Sequence, residues 1–160
     1  MKGQLLASGA WAAARARWAA GTTLLADDAA AAVAGSQFAA MPNAADVELG
    51  ATEDAIVTNV TIQPGLGLVA GLSVEPRLLP DQLWPQLFQV ARASGTTGVA
   101  AGIDVGTALR VQGGVASTVG DSAAVVIDGR QASWTNGTNE AIGAAWLVLD
   151  SFVDGNSVAP

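Results

Sequence analysis

Histidine and cysteine are both missing from the 160 residues. Without them the chain lacks the usual general base, the commonest metal ligand, thiolate nucleophiles and disulfides. What remains for chemistry is carboxylate. Asp27 and Asp28 stand between an apolar segment, Thr22–Ala26, and an alanine run that ends at Gly35, an order that reads strand, sharp turn, helix. A carboxylate held on such a turn can serve as a nucleophile if another group activates the resolving water. Glu75 and Asp104 are the candidates for that second role. The plainer role for Asp27 or Asp28 is to cap the following helix. Hard oxygen ligands from Asp27, Asp28 and Asp104 could hold a divalent ion, but the spaced acidic loop of such sites is missing. No metal and no cofactor is therefore expected.

The elements that must position these groups follow from periodicity. Trp11 and Trp18 lie seven apart with Ala14 between them, one stripe of a helix that Gly21 closes. Ala55 to Ile62 alternates with period two, Gln63-Pro64-Gly65 is a turn, and Gly67 to Val74 reads as an apolar strand. Leu83-Trp84, Leu87-Phe88 and Val90-Ala91 repeat at helical spacing, which predicts an amphipathic helix from Pro80 to Ala93. Strands follow at 98–103 and 107–111, and a hairpin is expected around Gly120-Asp121. Trp146 to Leu149 reads as the apolar core of a last strand, with Trp84 and Trp146 inside and Trp134 in a polar loop.

Seven Lys and Arg against 14 Asp and Glu give a net charge of −7. That balance repels phosphate, so nucleic acid is not an expected partner, and no direct membrane insertion is expected either. Only 13% of residues are charged, while 34 alanines and 19 glycines make up a third of the chain. A surface with so few charges exposes small apolar side chains, which suits a subunit covered by neighbours. Lys2 precedes an apolar stretch, but Gln4, Ser8 and Gly9 break it, which favours the cytoplasm with export as the alternative.

Five segments in order carry a further likeness: Gly21 to Gly35, Pro64-Gly65-Leu66-Gly67-Leu68, Val74 to Leu78, Gly102-Ile103-Asp104 with Thr107-Ala108-Leu109, and Val125 to Gly129. Over roughly residues 10–130 the chain resembles the cyanophycinase (peptidase S51) family of the class I glutamine amidotransferase-like superfamily. The resemblance implies α/β architecture: a partial doubly wound, flavodoxin-like parallel sheet with a C-terminal β-hairpin region. The whole of 1–160 would be one half-domain, equivalent to the C-terminal half of a cyanophycinase-like fold.

Family members are serine hydrolases whose nucleophile sits in a G-T-S-A-G-A elbow. Here the corresponding stretch is Ala26-Asp27-Asp28-Ala29-Ala30-Ala31, with Asp28 in the nucleophile's place. The family's histidine falls on Arg77, which stays protonated and accepts no proton. Its glutamate falls on Val105. All three catalytic positions are replaced, so the resemblance implies a pseudoenzyme. It also implies that an N-terminal half of the sheet is missing, leaving an edge for a protein partner or a second copy to complete. Trp11 and Trp18 are the candidate interface residues. The expectation is a non-catalytic structural or interaction subunit, with a carboxylate-dependent hydrolase or a small-ligand module in the former cleft as the alternatives.

Overall fold

The computed structural model describes residues 8–40, 61–137 and 142–158. Its first element is helix α1 (Gly9–Ala19). The Ser8 hydroxyl accepts from the Trp11 N–H at 3.1 Å, satisfying one of the helix's unpaired N-terminal donors. At the other end Gly21 takes φ +90, its N–H donates to the Trp18 carbonyl, and the Thr22 N–H donates to that of Arg17. That paired arrangement is the Schellman stop which the glycine predicts. Residues 22–27 belong to no helix and pair with no described strand, and Leu25 is 90% exposed. The strand expected there needs a neighbour to take its hydrogen bonds, and the described residues supply none.

Helix α2 (Ala29–Ala34) leads into β1 (Gln37–Ala40), which pairs antiparallel with β2 (Thr61–Pro64). Most of the alternation over 55–62 lies outside the described residues. The strand expected from Gly67 starts later, as β3 (Leu72–Pro76), because Gly67 and Gly71 both take positive φ. Helix α3 (Trp84–Ser94) follows. It starts four residues after Pro80 because Arg77 and Gln82 take positive φ and hold 77–82 in turns. Leu83 precedes it, and Leu87, Val90 and Ala91 line its buried face.

Beyond a short 3₁₀ turn, β4 (Val99–Ile103) lies parallel to β3, with Leu72 opposite Val99 and Pro76 opposite Ile103. This is the one parallel pair among the described strands. Strand β5 (Thr107–Gln112) turns back as β6 (Val115–Gly120) through Gly113 and Gly114, at φ +59 and +78. Two consecutive positive φ values are what a tight hairpin turn of matching twist requires. The hairpin expected at Gly120-Asp121 is therefore placed one turn earlier. Gly120 instead lets the chain cross between sheets, since a Cβ there would stand 2.1 Å from the Gly106 carbonyl oxygen.

Strand β7 (Ala124–Asp128) runs antiparallel to β4, and β10 (Val148–Phe152) pairs with its other side. Between them in sequence lie β8 (Ser133–Asn136) and β9 (Ile142–Ala145), paired with each other. The last strand, β11 (Ser157–Val158), joins β6. The central sheet thus has the order β10-β7-β4-β3, beside a three-stranded sheet β11-β6-β5. The class is mixed α/β, with mostly antiparallel pairing in place of the expected parallel sheet. A parallel pair needs a long crossover, and α3 is the described helix that supplies one.

The central sheet buries both faces. On one, Leu78, Leu83, Leu87, Val90 and Ala91 pack against Ala100, Val125 and Ile127. On the other, Leu72, Val99, Ala101 and Val126 pack under Leu109, Val111 and Phe152. The tryptophans divide differently from the expectation. Trp134 is half-buried against the α3 side, whereas Trp146 is 77% exposed at φ +57 in the bend before β10. Val148 and Leu149 are half-exposed because β10 is an edge strand with no covering layer at that end.

Candidate functional site

Asp28 opens α2 with φ +47 and ψ −126. A Cβ-bearing residue pays to sit there, and such strain persists only where the surroundings impose it. A sharp turn of this kind, aimed into a helix N-terminus, is also what a nucleophile elbow requires. The capping role does not hold: the Asp28 side chain makes no cap hydrogen bond. Replacing Asp28 with glycine should relieve the strain and raise stability by about 1 kcal/mol, measured by urea unfolding, after allowance for the glycine's extra unfolded-state freedom.

The far end of α2 is held by the Pro64–Leu68 segment. The N–H groups of Leu66, Gly67 and Leu68 donate to the carbonyls of Val33, Gly35 and Ala34 at 2.8, 2.9 and 3.0 Å. Those carbonyls would otherwise be orphaned at a helix C-terminus. The approach is close enough that a Cβ on Gly65 would meet the Gly35 oxygen at 2.0 Å. Gly35 in turn lies against Leu72 and Ser73 at the start of β3. With its C-terminus there, α2 runs antiparallel to β3 and puts Asp28 toward the carboxyl end of that strand.

Arg77 and Val105 follow the carboxyl ends of the parallel strands β3 and β4, side by side, and the Leu78 N–H donates to Ile103 oxygen at 3.1 Å. Open α/β sheets bind ligands at such ends. Arg77 is exposed and left-handed at φ +60, and forks onto Asp81 at 2.6 and 3.1 Å. Hydrogen bonding to Asp81 is the main cause raising its pKa; the Asp28 charge is the smallest contributor. The ion pair of Arg77 is therefore with Asp81, four residues on, and Asp28 acts on it only at a distance. Arg77→Leu and Asp28→Leu should show additive effects on unfolding free energy in a double-mutant cycle.

Val105 is exposed, and its N–H donates to Asp104 Oδ1 at 2.8 Å. Ser122 Oγ donates to Asp104 Oδ2 at 2.8 Å, so this carboxylate is engaged in shaping the turn after β4. Glu75 differs. It is buried on β3, its Oε2 has no hydrogen-bond partner, and burial pushes its carboxyl up to about 7. A group poised near neutrality can exchange a proton at physiological pH.

Two further features lie apart from these positions. No residue of α1 is buried, and Trp11 and Trp18 remain partly exposed. An apolar cleft of about 360 Å³ is lined by Pro85, Phe88, Trp134, Ile142, Ala144 and Leu147. Sequence reasoning missed the cleft because Trp134 sits among polar residues, and only the pairing of β8 with β9 turns it inward. Among the described residues no three acidic side chains converge as a metal site, and no helix is long and apolar enough to cross a membrane.

The fold and these positions define a mixed α/β chain whose strained acidic turn and buried carboxylate stand near the ends of one parallel strand pair. No protein-family model and no curated protein matches it.

Proposed function

We propose that this chain is a cyanophycinase-like pseudoenzyme, equivalent to the C-terminal half of that fold, acting as a structural or interaction subunit. The observation that carries the reading is α1, a helix with two tryptophans and no buried residue. Eleven residues are too few for a stable helix in water on their own, so such a helix gains its stability from a surface it packs against. The positions that resemble the family's triad support the pseudoenzyme part. Asp28 occupies the strained turn, Arg77 is fully ionised and paired, and Val105 has no titratable group.

A photo-crosslinking amino acid at position 11 or 18, combined with native mass measurement, tests the reading. Assemblies heavier than one 15.9 kDa chain, crosslinked through α1, are expected. A lone monomer with no crosslink from either position overturns it.

Glu75 favours a second reading, a carboxylate-dependent hydrolase or small-ligand module in the former cleft. On that reading a hydrolase screen gives activity with an apparent pKa near 7 that Glu75→Gln abolishes.

A further inference from the structure

The chain's charges are segregated along its length. Residues 1–26 hold Lys2, Arg15 and Arg17 and no acid, while the remainder holds 14 acids against four arginines. On α1, helical geometry puts Arg15 within about 60° of both Trp11 and Trp18 around the axis, making a tryptophan–arginine–tryptophan stripe. Tryptophan and arginine are the residue types that dominate binding energy at protein interfaces. Nothing in the described body buries this stripe.

The described residues offer one surface of matching pattern. Strand β10 is the open edge of the central sheet. Its register puts Val148, Asp150 and Phe152 on one face, opposite Asp128, Val126 and Ala124 of β7. Asp150 is exposed between apolar neighbours, with Trp146, Val148, Leu149 and Val153 also exposed around it. Two β10 strands cannot use this edge on each other along their full length, because the antiparallel pairing would set Asp150 against Asp150, and like charges directly opposite are unfavourable. The acid that blocks self-pairing suits a cation. The lengths agree as well: 11 helical residues and five strand residues each span about 16 Å. Residues 23–27, in no helix or strand, give α1 a reach of up to about 17 Å from the body.

We propose that α1 of one copy docks along β10 of a second copy, with Arg15 facing Asp150 and Trp11 and Trp18 on the apolar residues beside it. The exchange is reciprocal, so a two-fold dimer contains the contact twice. This inference rests on the interaction-subunit reading and names its partner.

The test is the solution mass of the full chain by sedimentation at about 100 μM, where a micromolar Kd saturates. Wild-type protein is expected at twice 15.9 kDa. Arg15→Glu and Asp150→Arg should each weaken the dimer at least about tenfold, the cost of reversing one close charge pair. The Arg15→Glu/Asp150→Arg double variant should recover it. Both residues are exposed, so unchanged circular dichroism will confirm that the variants fold. A dimer indifferent to either reversal overturns the proposal, as does one weakened by Arg15→Glu alone. A wild-type monomer overturns it too, including one in which α1 packs on its own chain, for instance on the four acids of residues 41–60. If that monomer still joins a different polypeptide through positions 11 and 18, the interaction-subunit reading survives. If it joins nothing, both fall.

Discussion

Glu75→Gln should stabilise the protein by about 3 kcal/mol at pH 8 and leave it almost unchanged at pH 4. The size follows from the gap between the ordinary glutamate value of 4.5 and the buried value of about 7, at 1.36 kcal/mol for each pH unit. The sign follows from proton linkage. Between 4.5 and about 7 the folded chain keeps the Glu75 proton while the unfolded chain has released it. The folded state binds more protons there, so stability falls as pH rises through that window. Below it both states are protonated and the residue carries no charge penalty. Above it the native state holds a buried carboxylate whose Oε2 lacks a partner. Glutamine keeps the shape and removes the charge. Urea unfolding of both proteins at the two pH values reads the difference, and an equal change at each would show that Glu75 is solvated.

Leu87→Ala should cost about 4 kcal/mol, within the range for a fully buried leucine truncated to alanine. Leu87 has no exposed surface and joins α3 to the sheet among Leu78, Val90, Ala100 and Ile127. Its δ-carbon also occupies the space above Gly102, where a Cβ would approach it to 3.0 Å. Truncation leaves a void above Gly102, which has no side chain to lean into it, and Leu78, which lies over the same glycine, is the neighbour that can relax. Thermal or urea unfolding at pH 5, where Glu75 is protonated in the fold, isolates this packing loss. A cost below 1 kcal/mol would mean that α3 is not seated on the sheet.

The sequence makes α3 legible because helical spacing alone sorts Leu87, Val90 and Ala91 from Gln89 and Ala93. It makes the end of α1 legible because Gly21 supplies the φ that the stop requires. The two misplaced tryptophans show where such reading ends. The run around Trp146 is apolar, but whether an apolar strand is covered depends on its rank in the sheet, and β10 stands at the edge. Trp134 looks polar by its neighbours, yet in β8 alternate side chains point opposite ways and the indole faces the core. The misplaced hairpin has the same origin: Gly113-Gly114 and Gly120-Asp121 both read as turns, and only the strand register chooses between them. Positions 28, 77 and 105 stand out only through the family resemblance, not through spacing. The state of Glu75 could not be read at all, because its proton affinity depends on what is packed around β3.

The backbone at Asp28 also acts as a filter on genetic drift. With φ +47 and ψ −126, branched or bulky side chains meet steric resistance there whatever the position once did or now does chemically. Glycine passes that filter at least cost. As copies of this gene diverge, position 28 should therefore keep a narrow repertoire even under no demand for chemistry, while exposed Val105 varies freely. A saturation library scored for folded protein would show that contrast directly.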